Sequence, residues 1–118
     1  MYGGNKHMIY ETYLAKKKEM QEKNPDAIFI EITRSKKHIL SPSWNLLNSY
    51  KKNNDWDLYT ERFLEEMKRP ECQEKLIELA RMAKEKDIFL VCFEGPKYGK
   101  KCHRFIVQEL IKEKMNEL

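Results

Sequence analysis

Three short runs of β-forming residues alternate with stretches whose apolar positions recur at helical spacing. Ile9, Tyr10, Glu11, Thr12 and Tyr13 read as a first strand, and residues 14–22, rich in Lys and Glu, as a short exposed helix. Asn24-Pro25-Asp26 marks a turn. Residues 27–33 (Ala, Ile, Phe, Ile, Glu, Ile, Thr) form a second strand, apolar enough to predict burial on both faces. A basic loop over 34–40 leads to Ser41-Pro42, which reads as a helix start, because serine accepts from orphan amides and proline fits the first helical position.

That helix runs to about Lys52, where Asn53-Asn54 breaks it, and Asp55 can cap the next. Trp56, Tyr59, Phe63 and Met67 then share one helical face, which predicts core. Pro70 opens another helix with Cys72, Leu76, Leu79, Ala80 and Ala83 along one stripe. Residues 88–93 (Ile, Phe, Leu, Val, Cys, Phe) are the strongest strand of all. Residues 94–101 form a loop with Gly95, Pro96 and Gly99, and residues 102–118 a last helix with Ile106, Val107, Leu110, Ile111 and Met115 inward. Trp44 and Tyr50 are expected in the core, or else lining the cleft. The order is strand, helix, strand, three helices, strand, helix. Helices between strands imply parallel pairing with right-handed crossovers. The expected fold is therefore a small three-layer α/β/α domain with a short, mostly parallel sheet, Rossmann-like in plan.

The chain's 118 residues suit one domain over residues 8–118. Residues 1–7 carry two glycines and no apolar pattern, and read as a mobile tail or an expression remnant. Charged residues make up 36% with both signs interleaved, so most of this charge is expected on a solvated surface. The net charge of +4 permits an anionic ligand but falls short of the basic stripe of a dedicated nucleic-acid binder. No apolar run approaches a membrane span and no signal segment is visible, so a cytoplasmic location is the expectation. The cysteines are Cys72, Cys92 and Cys102. Their low, odd number argues for free thiols in a reducing compartment.

In open parallel α/β sheets, ligands bind beyond the carboxyl ends of the strands. This rule selects Thr33-Arg34 and the segment from Cys92 and Glu94 to Cys102-His103-Arg104. Lys97, Lys100, Lys101 and Arg104 place four cations within eight positions. The following helix start adds free amides and the positive end of its dipole. Arg34, Lys101 and Arg104 are the candidate anion-binding residues. The loop is no Walker-type phosphate loop, since the glycine–lysine–serine/threonine ending is missing.

Cys102, at or just before the first helical turn and beside Lys101, His103 and Arg104, has the surroundings of an activated thiol. Small residues at helix starts are as often held by packing alone. Cys92, in a buried strand, reads first as an inert small hydrophobe, although its place at the strand end leaves room for a role. Glu94 can orient His103, act as acid or base, or pair with Arg104. Cys72 lies on a core stripe and is structural. His7 and His38 read as surface residues.

No metal centre or other cofactor is expected. The spacing of Cys92, Cys102 and His103 matches no common zinc pattern, and adjacent Cys102 and His103 would point apart on a helix. A Cys92–Cys102 redox pair lacks thioredoxin-type spacing. The position six after Cys92 is Tyr98, not the arginine of a tyrosine-phosphatase loop.

Several segments together resemble a known family. They are Met8 through Tyr13, Ile32-Thr33-Arg34, Leu40-Ser41-Pro42-Ser43 with Tyr50-Lys51, and the aromatic helix of Trp56, Tyr59, Phe63 and Met67. Most specific is Leu90-Val91-Cys92-Phe93-Glu94 followed by Cys102-His103-Arg104. The pattern resembles the uncharacterised family catalogued as domain of unknown function 488, over nearly the whole chain. The resemblance implies a compact α/β/α fold and singles out Arg34, Cys92, Glu94, Cys102, His103 and Arg104, with no established reaction to carry over. The loop 95–101 is longer and more basic than the family pattern leads one to expect.

Three functions stay open at this point. The first is a site for an anionic small molecule, such as a nucleotide or phosphate-bearing metabolite, with Cys102 or Cys92 as nucleophile and His103 and Glu94 in acid–base or orienting roles. The second is a non-enzymatic nucleic-acid or protein-binding module using Lys16-Lys17-Lys18, Lys36-Lys37 and Lys51-Lys52. In the third, the Cys-His-Arg segment simply ties the last helix to the sheet.

Overall fold

The computed structural model describes residues 8–34, 37–93 and 102–118. The expectations for residues 1–7 and for the loop 94–101, including Glu94 and Lys101, lie outside the described residues. The elements are β1 (Ile9–Tyr13), α1 (Leu14–Lys23), β2 (Ile28–Glu31), α2 (Trp44–Asn53), α3 (Trp56–Glu66), α4 (Pro70–Met82), β3 (Ile88–Cys92) and α5 (His103–Glu117). Their order is the one that hydrophobic periodicity predicts.

All described pairings are parallel, in the order β1-β3-β2. Ile88 of β3 sits opposite Ile9 on one side and Ile28 on the other. The chain passes from one edge to the other through α1 and returns to the middle through α2, α3 and α4. With right-handed crossovers, those two connections must lie on opposite faces. Side-chain alternation agrees. Ile88 and Leu90 join the main core with Phe63, Leu76, Leu79, Val107 and Ile111. Phe89 points the other way and stacks between Tyr10 and Phe29, with ring centroids at 5.1 and 4.7 Å. Above that face, Lys17 of α1 reaches Glu31 at 3.5 Å. The domain is thus a three-layer α/β/α sandwich. Each fully buried large apolar side chain in its core contributes roughly 1.5–3 kcal/mol.

Several helix boundaries follow from local chemistry. Asp55 accepts from the Leu58 amide (3.1 Å) and starts α3. Pro70 occupies the first turn of α4. Asn54 closes α2 in the left-handed region at φ 54°, which asparagine tolerates better than most residues.

Four expectations are corrected. The helix predicted at Ser41-Pro42 begins instead after Ser43, whose hydroxyl oxygen accepts from the Leu46 amide at 3.1 Å. Glu66 fixes that cap by accepting from the Ser43 amide (2.9 Å) and hydroxyl. The Ser41 hydroxyl is engaged earlier, donating to the His38 carbonyl. Second, β2 is half-buried throughout, because it is an edge strand, while β3 in the middle is buried along its whole length. Third, Trp44 is 54% exposed and lies under the Arg34 guanidinium (5.3 Å to the ring centroid), whereas Tyr50 packs against the core beside Trp56 and Tyr59. Fourth, His38 is half-buried, its Nδ1 accepting from the Leu40 amide at 3.1 Å.

No described helix is long and apolar enough to cross a membrane.

Candidate active site

Cys92 is the last residue of β3, at the carboxyl end of the central strand. Cys102 is the N-cap of α5, with extended backbone (φ −142°, ψ 144°) and a thiol that makes no cap hydrogen bond. Its carbonyl accepts from the Phe105 amide at 3.1 Å, which opens the first helical turn and sets the positions of His103 and Arg104. The two thiols share a hydrogen bond, with Sγ to Sγ at 3.0 Å. His103 Nδ1 lies 3.7 Å from Cys92 Sγ and 3.9 Å from Cys102 Sγ. The expectation that Cys102 and His103 point apart is thus corrected. It assumed both residues were helical, but Cys102 is an extended N-cap, and its Sγ lies 3.9 Å from His103 Nδ1.

His103 Nε2 meets the Ile32 carbonyl oxygen at 2.6 Å. A carbonyl can only accept, so Nε2 carries a proton, and in the neutral ring the lone pair sits on Nδ1, facing both sulphurs. Phe63 packs edge-on against the imidazole at 5.8 Å. Ile32 itself extends the β2–β3 ladder, its amide donating to the Val91 carbonyl. The ends of β2 and β3 and the start of α5 therefore meet at one rim, as the strand-end rule requires.

The cluster is turned inward: Cys92 is 2%, Cys102 4%, His103 6% and Arg104 3% exposed. The hydrogen bond with Cys102 and then burial push the Cys92 thiol well above its ordinary range, against the opposing pull of His103. Cys92 thus keeps its proton. Burial works against the Arg104 charge, but the hydrogen bond from its Nε to Glu11 (2.7 Å), the two nearby cysteines and the Glu11 charge together raise its pKa, so it stays ionised. Its guanidinium also lies 4.5 Å over the Phe105 ring and 5.9 Å over Tyr13. Arg104 thereby links α5 to β1.

Of the predicted site residues, Cys92, Cys102 and His103 form one cluster, with Arg104 beside it. Arg34 lies two residues beyond the carbonyl that holds His103. Its Nη1 donates to the Pro42 carbonyl at 3.2 Å, while its Nε is buried without a hydrogen-bond partner among the described residues. Glu94 and Lys101 fall outside the described residues. Cys72 is fully buried against the Ile39 carbonyl and Arg69, as a structural cysteine should be. A surface pocket lined by Ser43, Asn45, Leu46, Arg62, Glu65 and Glu66 contains none of the predicted site residues.

Sequence reasoning missed Glu11 and the Ile32 carbonyl. Glu11 left a signal: in a strand with Ile9 and Tyr13, it occupies the core-facing side, where a carboxylate needs a partner. A backbone carbonyl leaves none.

No curated protein and no solved structure matches the chain. A family model, DUF488-N3a, described as the active DUF488-N3 subclade, matches residues 31–115. That span holds Arg34, Cys92, Cys102, His103 and Arg104, while β1 and α1 precede it. With most of its length matched, including every residue of the thiol–imidazole cluster, the chain belongs to the DUF488 family, within the N3a subclade.

Proposed function

We propose that this protein is a thiol-dependent group-transfer catalyst in which Cys102 is the nucleophile and an anionic small molecule, a nucleotide or phosphate-bearing metabolite, is the substrate. One observation carries this reading: Cys102 stands at a helix N-cap with both Cys92 and the Nδ1 of His103 against its sulphur. The helix start favours negative charge on that sulphur. His103 Nδ1 accepts the thiol proton, and its bond to Ile32 keeps that nitrogen aimed at the thiol. Cys92, which holds its proton, donates to the Cys102 thiolate. The Cys102 sulphur forms a bond to the substrate's electrophilic atom, and the leaving group departs with its electron pair. Arg34 and the amides of α5 provide the positive field that draws an anion to this rim, while the Arg104 charge is already matched by Glu11.

The structural alternative has its own support, since His103 and Arg104 already tie α5 to β2 and β1. The nucleic-acid alternative is less well supported. Lys16 and Lys17 are paired with Glu19 and Glu31, as expected of a solvated face.

Ligand protection separates these readings. Iodoacetamide labelling of the folded protein, resolved by residue, is measured with and without inorganic phosphate or adenosine monophosphate. The catalytic reading expects labelling at Cys102 that either anion slows. Labelling of all three cysteines only after unfolding overturns it and leaves the structural role.

A further inference from the structure

The same rim supports a second chemistry, independent of whether Cys102 acts as a nucleophile. We propose that Cys92, Cys102 and His103 form a three-donor binding site for a thiophilic divalent cation, zinc(II).

The first support is the donor geometry. Cys92 Sγ, Cys102 Sγ and a His103 ring nitrogen all lie within 4.8 Å of one another. Tetrahedral zinc, with bonds of about 2.3 Å to sulphur and 2.0–2.1 Å to nitrogen, sets sulphur–nitrogen edges of roughly 3.5 Å and a sulphur–sulphur edge of roughly 3.8 Å. The two sulphur–nitrogen separations, 3.7 and 3.9 Å, are already close to that. The sulphurs, now 3.0 Å apart, need only separate by about 0.8 Å, which small rotations about the Cα–Cβ bonds provide.

The imidazole supplies the second support. Protein-bound zinc takes histidine with its far nitrogen donating to a carbonyl or carboxylate, which fixes the tautomer and aims the lone pair. His103 has this arrangement, with Nε2 on the Ile32 carbonyl and Nδ1 toward the sulphurs. The bond does not need the metal in order to form, so the ring is already oriented for it.

Charge is the third support. Binding releases both thiol protons to solvent, and the resulting two thiolates and one zinc ion sum to zero, which suits a site whose three donor residues are buried. The nearby Arg104 charge is matched by Glu11 at 2.7 Å. Soft sulphur and imidazole donors select zinc over magnesium or calcium. Three protein ligands leave a fourth coordination position for water or an anion, the pattern of catalytic rather than structural zinc.

Cobalt(II), which takes zinc's place and reports its ligands in its spectrum, is titrated into the reduced, chelator-treated full chain, and zinc is then added to displace it. The proposal expects one cobalt per chain, with a thiolate charge-transfer band and intense tetrahedral bands that zinc abolishes. Cys72→Ser leaves the spectrum unchanged. Cys102→Ser removes roughly half of the charge-transfer band, one of its two thiolates, and His103→Gln weakens affinity at least about tenfold, the low end for disturbing a zinc shell. Should a variant fail to fold, the wild-type spectrum still decides by its donor bands. Absence of a thiolate band at micromolar cobalt, or binding unchanged in folded Cys102→Ser and His103→Gln, overturns the proposal. Anion-sensitive labelling of metal-free Cys102 is a separate readout, so the zinc site and the nucleophile reading can fail independently.

Discussion

His103 and Ile32 are 71 positions apart in the chain, yet the imidazole Nε2 rests 2.6 Å from the Ile32 carbonyl oxygen. This bond positions the lone pair that faces both thiols, and it joins the first turn of α5 to the end of β2. A single contact therefore both aims the imidazole at the thiols and ties the fold, and the two effects can be separated by substitution.

His103→Ala removes a buried hydrogen bond and leaves a cavity beside Phe63. A loss of about 2–4 kcal/mol is expected in urea unfolding. His103→Gln, which can still donate to Ile32, is expected to lose less than half of that. Equal losses in the two variants would show that the carbonyl bond contributes nothing.

Arg104 is buried and Glu11 is 31% exposed, so this ion pair lies between the surface and interior cases. Breaking a buried pair leaves an uncompensated charge. Partial access to water at Glu11 reduces that cost, and Glu11→Gln is expected to destabilise by on the order of 2 kcal/mol. A double-mutant cycle with Arg104→Met measures the coupling. Additive losses would mean that the two residues act separately.

Acid weakens this fold in part through His38. Burial first, then the charges of Lys75 and His103, hold its pKa below the ordinary 6.5, with Glu78 opposing. In the unfolded chain His38 takes up a proton as pH falls through about 6.5, while in the folded chain it stays neutral to lower pH. Its contribution is fully present above pH 6.5 and is lost as pH falls toward the folded-state value. The urea midpoint is therefore expected to drop between pH 7.5 and 5.5, and less steeply in His38→Asn. An identical slope in the variant would assign the acid sensitivity elsewhere.

Ser43, not Ser41, caps α2 and is held by Glu66 of α3. Ser43→Ala is expected to cost about 1 kcal/mol by thermal or urea unfolding, the usual value for an N-cap. Ser41→Ala is expected to leave α2 intact, because its hydroxyl serves the turn at His38. A larger loss of helix in Ser41→Ala would reverse the assignment.

Much of this architecture could be read from residue patterns. The period-2 and period-3.6 stretches located every described strand and helix, and the alternation of strands with helices implied a parallel sheet. The strand-end rule then led to Cys92, Cys102 and His103. What stayed hidden depends on tertiary arrangement. Strand order decides that β2 is an edge, and nothing in its apolar run encodes who its neighbours are. The helix start read at Ser41 lies at Ser43 instead, because Glu66 reaches from α3 to the start of α2 and holds Ser43 as the cap. Trp44 looked like core, yet it is exposed, with the Arg34 guanidinium over its ring. The convergence of Cys102 and His103 depended on one residue's extended backbone at a helix boundary, where a one-residue shift redirects a side chain.

The central claim is that Cys102 is an activated thiol whose reactivity depends on His103. Residue-resolved iodoacetamide kinetics on the folded, metal-free chain test it most directly, comparing wild type with His103→Gln. The account predicts that Cys102 labels faster than Cys72 in the wild type and at least about tenfold more slowly once the imidazole is gone, a threshold set below the roughly 10²–10⁴-fold that a positioned base contributes. Equal rates at Cys102 and Cys72, or a Cys102 rate indifferent to His103→Gln, would contradict it.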